Sequence, residues 1–227
     1  MLKFLIKYQR IAEHNMKRFI IADDHIIIRL GLIQILKDEY PSAEITEVEN
    51  GETLISQISL NDFDIVISDL EMPGRSGLEA LEQIKLIKSE LPVLILSIYS
   101  EELYALRVFK AGASGFLNKN AAPYELINAI ERISLGRKYI TPELAEKILT
   151  HFDDNSKPHE LLSNREFEIF KLLAIGKTVS EIAHMFSLAV TTISTHRSRI
   201  MGKLNLSTNS ELTRYAITHN IITDLIQ

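Results

Sequence analysis

The sequence predicts an α/β unit of the doubly wound (βα)5 type followed by a smaller all-α unit. From residue 16 onward, short apolar runs alternate with helix-length amphipathic stretches, a pattern typical of βα units around a parallel sheet. Beyond the polar segment at 153–160 the apolar period becomes purely helical. With 227 residues, of which 46% are hydrophobic, each unit can bury its own core.

Five strands and five helices are predicted in the first unit. The strands are short apolar runs at residues 18–22, 44–49, 65–69, 93–97 and 115–117. The helices are predicted at residues 27–38, 51–59, 77–89, 101–111 and 123–135. Pro123 supports the last of them, because proline suits the first turn of a helix.

Three capping boxes mark helix starts in the second unit. They are Ser163-x-x-Glu166, Thr178-x-x-Glu181 and Thr208-x-x-Glu211. With the stretch 191–204 they predict four helices, the last at 210–219. Only a few residues join the helices at 178–186 and 191–204, which is the spacing of a helix-turn-helix.

The domain boundaries follow from these patterns. Residues 1–15 match neither unit and form an N-terminal extension, so Met16 is a candidate natural start. The first domain is predicted at 16–137 and the second at 161–227. Between them, 138–160 is a linker with a short helix that begins at Thr141.

Composition and charge exclude several classes of protein. The chain has no cysteine, which excludes a disulfide framework, a thiolate zinc site and a cysteine nucleophile. Neither a secretory signal nor a membrane span is visible, so we expect a cytoplasmic protein. Residues 17–150 carry a net charge of -7, whereas residues 163–227 carry +2, so a polyanion would meet the C-terminal domain.

Polar side chains follow four of the predicted strands. Asp23 and Asp24 follow the first strand, and the third and fourth strands end in Asp69 and Ser97. Lys119 follows the fifth. The carboxyl ends of parallel strands share one edge, so these groups converge there. Clustered carboxylates repel unless a divalent cation neutralises them, and oxygen ligands suit Mg²⁺.

In such a site Asp69 would be a nucleophile that accepts a phosphoryl group, and Lys119 would neutralise phosphoryl oxygens. Asp23 and Asp24 would hold the metal ion, and the Ser97 hydroxyl would donate to the phosphate. A single acidic residue after a strand is usually a solvated turn residue. The combination of all five after four strands favours the phosphoryl site.

Three segments of the first domain resemble the signature segments of response-regulator receiver domains. They are Asp23-Asp24-His25, residues 68–74 and residues 110–119. The resemblance implies a flavodoxin-like fold in which Asp69 is the phosphoacceptor. It further implies that Asp23, Asp24, Asp69 and the backbone carbonyl of Glu71 bind Mg²⁺.

The resemblance also implies that Ser97 and Phe116 form a switch pair that reports phosphorylation. Ser97 stands where many relatives have threonine, and Phe116 replaces a frequent tyrosine. An ordinary core aromatic is an equally good interpretation of Phe116. Asn120 follows Lys119 where proline is frequent, so no cis peptide is expected there. His25 has no second histidine at ligand spacing and receives no metal role.

The C-terminal helices resemble the LuxR-type helix-turn-helix, through motifs at residues 162–166, 176–183 and 192–204 together with Glu211-Leu212. The two domains in this order resemble the NarL/FixJ class of response regulators. That class implies a sensor histidine kinase as partner, double-stranded promoter DNA as target, and a homodimer when phosphorylated.

The predicted DNA contacts lie mainly on the helix at 191–204. Hydroxyl side chains can reach base edges, and arginines and lysines can contact phosphates. By the resemblance, Ser194, Thr195 and Ser198 face bases. Backbone contacts are assigned to Arg197, Arg199, Lys177 and Lys203. His196 is expected to pack at the turn between helices.

Two other functions remain as alternatives. An aspartyl nucleophile beside Mg²⁺ also serves phosphatases and related hydrolases. The first domain could instead be vestigial, which would leave a DNA-binding or protein-interaction module that phosphorylation does not control. The complete acidic set argues against the second alternative.

Overall fold

The structure, a computed structural model, describes residues 17–98, 101–141, 144–146 and 157–222. The predicted N-terminal extension, Met16 and most of the linker lie outside the described residues. At the predicted linker helix, residues 144–146 are helical, and Thr141 Oγ1 accepts a hydrogen bond of 3.3 Å from the Leu144 amide. The cap expected at Thr141 is therefore present.

The N-terminal domain has a five-stranded parallel sheet. The strands are β1 (Arg18–Ala22), β2 (Glu44–Val48), β3 (Ile65–Asp69), β4 (Val93–Ser97) and β5 (Gly115–Asn118). Their order is β2-β1-β3-β4-β5, one of the two common doubly wound orders, which confirms the predicted fold class. β2 ends at Val48 and β5 extends to Asn118, because these residues pair with the ends of β1 and β4.

Five helices cover the two faces of this sheet. They are α1 (Ile26–Glu39), α2 (Gly51–Leu60), α3 (Gly77–Ile87), α4 (Glu101–Lys110) and α5 (Pro123–Ser134). Alternate residues of β1 face opposite layers: Phe19 and Ile21 pack with α1 and α5, and Ile20 and Ala22 pack with α2 to α4. Both faces of the sheet are thus buried, as expected for parallel strands.

The C-terminal domain has four helices after a 3₁₀ turn at Pro158–Leu161. They are α6 (Asn164–Ala174), α7 (Val179–Met185), α8 (Val190–Leu204) and α9 (Asn209–Thr218). All three predicted capping boxes are formed. The turn between α7 and α8 passes through Ser187 in the left-handed region (φ 52°), so α8 leaves at a new angle.

The backbone agrees with two further sequence predictions. None of the described peptide bonds is cis, as expected at Asn120. Among the described helices, none combines the length and apolar character that crossing a bilayer requires.

Gly77 allows α3 to begin directly beside the end of β3. Its amide donates a 2.8 Å hydrogen bond to the Leu70 carbonyl. A Cβ atom at this position would lie only 1.8 Å from the backbone oxygen of Asp69. Residue 77 must therefore be glycine for the loop at 70–76 to fold over the end of the sheet.

We predict that Gly77→Ala destabilises the protein by about 2–4 kcal/mol, because the clash is with backbone that cannot rotate away. Gly31→Ala is the matched control. Gly31 is an exposed helical residue, and nothing lies within 4 Å of the place that an alanine methyl group would take, so alanine should stabilise by roughly 0.5–1 kcal/mol. Urea unfolding of both variants measures the difference, and equal stabilities would contradict the expected clash.

Candidate functional site

The end of the sheet where β1 and β3 lie side by side forms an acidic pocket. Chain connections diverge at this point, which leaves a crevice outside the carboxyl ends of the strands. Asp23 follows β1, and Asp69 is the last residue of β3. Lys119 follows β5, and its Nζ lies 2.7 Å from Asp23 Oδ2 and 2.8 Å from Asp69 Oδ2. The structure thus brings together the groups that sequence analysis placed at this edge.

Asp23 is held from two directions. Its Oδ1 accepts a 2.8 Å hydrogen bond from the His25 amide. Its backbone carbonyl accepts a 2.6 Å bond from Arg29 Nη1, a buried guanidinium of α1. Arg29 is balanced by Glu47 at 3.4 Å and Glu49 at 2.9 Å. Sequence analysis missed Arg29, whose only signal is a basic residue in the apolar first turn of α1.

Asp69 is 5% exposed, and its burial raises the pKa of its carboxyl to about 6. Hydrogen bonding and charge from Lys119 lower this pKa, as does the Glu71 amide, and the charge of Asp23 raises it further. One ammonium therefore does not fully compensate the buried carboxylates. The pocket therefore favours the binding of a further cation.

The donor set fits a divalent cation. One ligand atom from each of Asp23, Asp24, His25 and Asp69 can be chosen so that all lie within 4.8 Å of one another. Asp23 Oδ2 is buried and makes no hydrogen bond of acceptable geometry with any described residue, although Lys119 Nζ lies close to it. Carboxylate oxygens of this kind suit Mg²⁺.

His25 lies in this group although sequence analysis gave it no metal role. Its side chain is 64% exposed, and Nδ1 lies 2.8 Å from Asp24 Oδ1. It makes no side-chain cap to α1. The contact with Asp24 explains its position without a metal ion.

The predicted switch residues are both buried. Ser97 ends β4, and its carbonyl accepts a 2.8 Å hydrogen bond from the Lys119 amide, which ties the two segments together. Phe116 lies inside the core layer that also contains Tyr104 of α4. Both interpretations of Phe116 are compatible with this burial, so its switch role stays a prediction.

The pocket continues into a cavity of about 490 Å³ that both domains line. Asp24, Asp69 and Lys119 lie on the N-terminal side. The C-terminal side consists of six residues from α6 to the turn after α7: Glu168, Lys171, Leu172, Ile175, Met185 and Phe186. Sequence analysis did not predict this shared wall. No local signal marks it, because charged residues of α6 such as Glu168 and Lys171 are buried along with the apolar ones.

The predicted DNA-contacting face of α8 is open to solvent. Ile193, Ile200 and Leu204 are buried against the rest of the domain. The side chains of Ser194, Thr195, Ser198 and Arg199 are exposed. This surface remains exposed although the C-terminal domain packs against the N-terminal one.

The other predicted contacts have partners within the protein. Lys203 Nζ lies 2.6 Å from Glu166 Oε2, and Arg197 donates a 2.8 Å bond to Asn209. Lys177 is exposed, 3.8 Å from Glu181. His196 is half-buried in α8, as the packing interpretation requires. Lys203 therefore has a structural role that competes with a phosphate contact.

Two family models match the chain. The model described as response regulator receiver domain matches residues 19–131. The model described as bacterial regulatory proteins, luxR family, matches residues 160–216.

Curated relatives match over most of their length. The response regulator UvrY of Escherichia coli (strain K12) is 32% identical over 89% of this chain and 94% of its own. The oxygen regulatory protein NreC of Staphylococcus carnosus (strain TM300) is 33% identical over 90% of this chain and 99% of its own.

A solved structure of RcsB from Salmonella enterica serovar Typhimurium, bound to promoter rprA with phosphomimetic BeF3-, is also similar. It is 28% identical with a TM-score of 0.63, and the match covers 88% of this chain and 98% of that one.

We predict that Asp69→Asn stabilises the metal-free protein at pH 7.5 by about 1–3 kcal/mol, because it removes a poorly compensated buried charge. The pKa of about 6 exceeds that of an unfolded aspartate, so the folded wild type takes up a proton first as pH falls. The wild type therefore gains stability between about pH 6 and 4, and the advantage of Asn shrinks there.

Urea unfolding with EDTA at pH 7.5 and 5 tests this. Asp62→Asn is the control, because Asp62 is an exposed partner of Lys88 at 2.7 Å and should give no gain. A less stable Asp69→Asn at pH 7.5 would show that the Lys119 ion pair outweighs the burial of charge.

Proposed function

The chain belongs to the NarL/FixJ type of two-component response regulators, which join a receiver domain to a LuxR-type DNA-binding domain, and we propose that phosphorylation of Asp69 by a sensor histidine kinase controls its binding to promoter DNA. The protein is thus a DNA-binding transcription regulator rather than a metabolic enzyme. We place the protein in the cytoplasm, because the proposed phosphodonor domain of the kinase and the promoter DNA are both reached from there.

The observation that carries the proposal is the convergence of Asp23, Asp69 and Lys119 within 2.8 Å contacts at the switch point of the sheet. The Asp69 carboxylate would attack the phosphorus of phosphohistidine, so that an O–P bond forms and the N–P bond breaks. The leaving imidazole keeps the electron pair and takes up a proton. The Lys119 ammonium would neutralise phosphoryl oxygens.

Asp23, Asp24, Asp69 and the Glu71 backbone carbonyl would hold Mg²⁺, a role that the hard oxygen donors and the buried Oδ2 of Asp23 support. When bound, the ion screens the carboxylates from each other and from the incoming phosphoryl group. The hydrogen bond from Arg29 to the Asp23 carbonyl would hold the backbone at this ligand in place.

The Ser97 hydroxyl would donate a hydrogen bond to the acquired phosphate, and Phe116 would change rotamer when Ser97 reorients. Phe116 lies in the same core layer as Tyr104 of α4, whose hydroxyl donates a 3.4 Å hydrogen bond to Glu168 of the DNA-binding domain. A shift of Phe116 would therefore reach the second domain. Dimerisation of the phosphorylated chain would then place two α8 helices on two half-sites.

The exposed side chains Ser194, Thr195 and Ser198 would read bases in the major groove. Arg197, Arg199 and Lys177 would contact the DNA backbone, and Lys203 would do so only after leaving Glu166. The net charge of +2 for residues 163–227 supports a polyanionic partner.

The first test is phosphorylation by acetyl phosphate with Mg²⁺, followed on phosphate-affinity gels. We expect one phosphoryl group per wild-type chain, none on Asp69→Asn, and the wild-type level on the control Asp62→Asn. Lys119→Met should react roughly 10²-fold more slowly. Multiple turnover of p-nitrophenyl phosphate would instead indicate a hydrolase, and no labelling would indicate a vestigial receiver.

The second test is a gel-shift titration on duplexes selected from a random library by the phosphorylated wild type. Acetyl phosphate should raise the affinity of wild type and leave Asp69→Asn unchanged. Arg199→Ala should weaken binding about tenfold, whereas Arg214→Ala, an exposed arginine on α9, should stay within about twofold. Identical binding by phosphorylated wild type and Asp69→Asn would refute the proposed control.

A further inference from the structure

Helix α6 of the DNA-binding domain places a cation on the rim of the phosphorylation pocket. The Lys171 side chain is 4% exposed, and its Nζ lies 2.5 Å from Glu71 Oε1 and 3.0 Å from Glu168 Oε2. It also bonds the hydroxyl of Tyr104. Glu71 belongs to the loop that follows Asp69. Glu71, Glu168 and Lys171 line the same cavity as Asp69 and Lys119.

The position of Lys171 depends on docking of the two domains. Arg107 of α4 donates a 2.8 Å bond to the Leu162 carbonyl, and its guanidinium lies 4.1 Å from the centre of the Phe167 ring. Near the start of α6, Arg165 pairs with Glu79 at 3.2 Å. These contacts hold α6 against the receiver, so undocking would carry Lys171 away from the pocket.

Lys171 supplies a large share of the positive charge in this cavity. Five carboxylates border or lie within it: Asp23, Asp24, Asp69, Glu71 and Glu168. Among the described side chains, the ammonium groups that contact these carboxylates are those of Lys119 and Lys171. His25 lies beside Asp24. Lys119 belongs to the receiver itself, whereas Lys171 and its partner Glu168 enter the cavity only while the domains are docked.

We propose that Lys171 is a built-in counter-ion of the phosphorylation pocket, so that docking of the DNA-binding domain and binding of a divalent cation oppose each other. This rests on the proposed function, since the cation site is that of the proposed phosphorylation reaction. Two cations in one partly buried cavity repel, and burial limits their screening by salt. The coupling is reciprocal: docking weakens cation binding, and the bound cation weakens docking by the same factor.

The C-terminal domain thereby acts before any phosphoryl transfer. Loading of the pocket with Mg²⁺ shifts the population toward undocked molecules. Undocking removes the wall formed by Leu172, Ile175 and Phe186 and widens access to Asp69. Undocking should speed phosphorylation by a protein phosphodonor more than by a small one, because only the protein needs wide access to Asp69.

The experiment measures Mg²⁺ binding to the full chain by isothermal titration calorimetry. Lys171→Met should bind Mg²⁺ about three- to tenfold more tightly than wild type. Lys171→Arg keeps the charge and should match wild type. Lys157→Met makes the same change in net charge on an exposed lysine outside the cavity, and it should also match wild type.

A second measurement follows docking directly. Because the natural sequence has no cysteine, Ser89→Cys and Ser207→Cys place dyes on exposed sites of the two domains. Transfer between the dyes should change with Mg²⁺ concentration along the calorimetric binding curve. This titration needs no change at Lys171, so it tests the opposition between docking and Mg²⁺ binding even if Lys171→Met folds poorly.

Equal affinities for wild type and Lys171→Met, or transfer that Mg²⁺ does not alter, would overturn the proposal and leave Lys171 as an interface residue. Weaker binding by Lys171→Met would overturn it as well, because Lys171 would then support the metal site. In these cases wild type still binds Mg²⁺ and is phosphorylated on Asp69. Failure of wild type to bind Mg²⁺ refutes the inference together with the metal site of the proposed function.

Discussion

The burial of like charges at one edge of the sheet is the constraint on which this structure depends. β1 and β3 are neighbours, so the aspartates at their ends lie together, and both contact the ammonium of Lys119. Burial raises the pKa of Asp69 to about 6 despite that partner, and the charge of Asp23 adds to the shift. Buried, poorly compensated carboxylates destabilise a fold, and such groups are therefore concentrated at functional sites.

The same electrostatics extends across the domain boundary. Lys171 and Glu168 are buried charges of the DNA-binding domain, and desolvation raises the pKa of the Glu168 carboxyl. Burying an ion pair gains little net free energy, so the polar junction holds the domains less firmly than an apolar interface of the same size would. A weakly held junction is suited to a molecule that changes state when one phosphoryl group is added.

Much of the fold and the pocket could be predicted from sequence because the signals are local. Strand ends in a parallel sheet share an edge, so Asp23, Asp69 and Lys119 could be grouped without coordinates. The capping box of Ser163 and Glu166 likewise fixes the start of α6. Lys171 could not be assigned in this way, since its place depends on side chains from another domain. Arg29 was missed because its partners are distant in sequence: Glu47 lies on β2 and Glu49 directly after it.

The exposed face of α8 bears on whether the unphosphorylated regulator can contact DNA. Arg199 and its neighbours stay in solvent while the domains are docked. Under the proposed function, the unphosphorylated form would therefore still contact nucleic acid. Contacts of that kind are electrostatic, indifferent to sequence and easily broken by salt. Unphosphorylated molecules would therefore bind the chromosome briefly at many sites, and phosphorylation would lengthen the residence time at specific sequences rather than create the ability to bind.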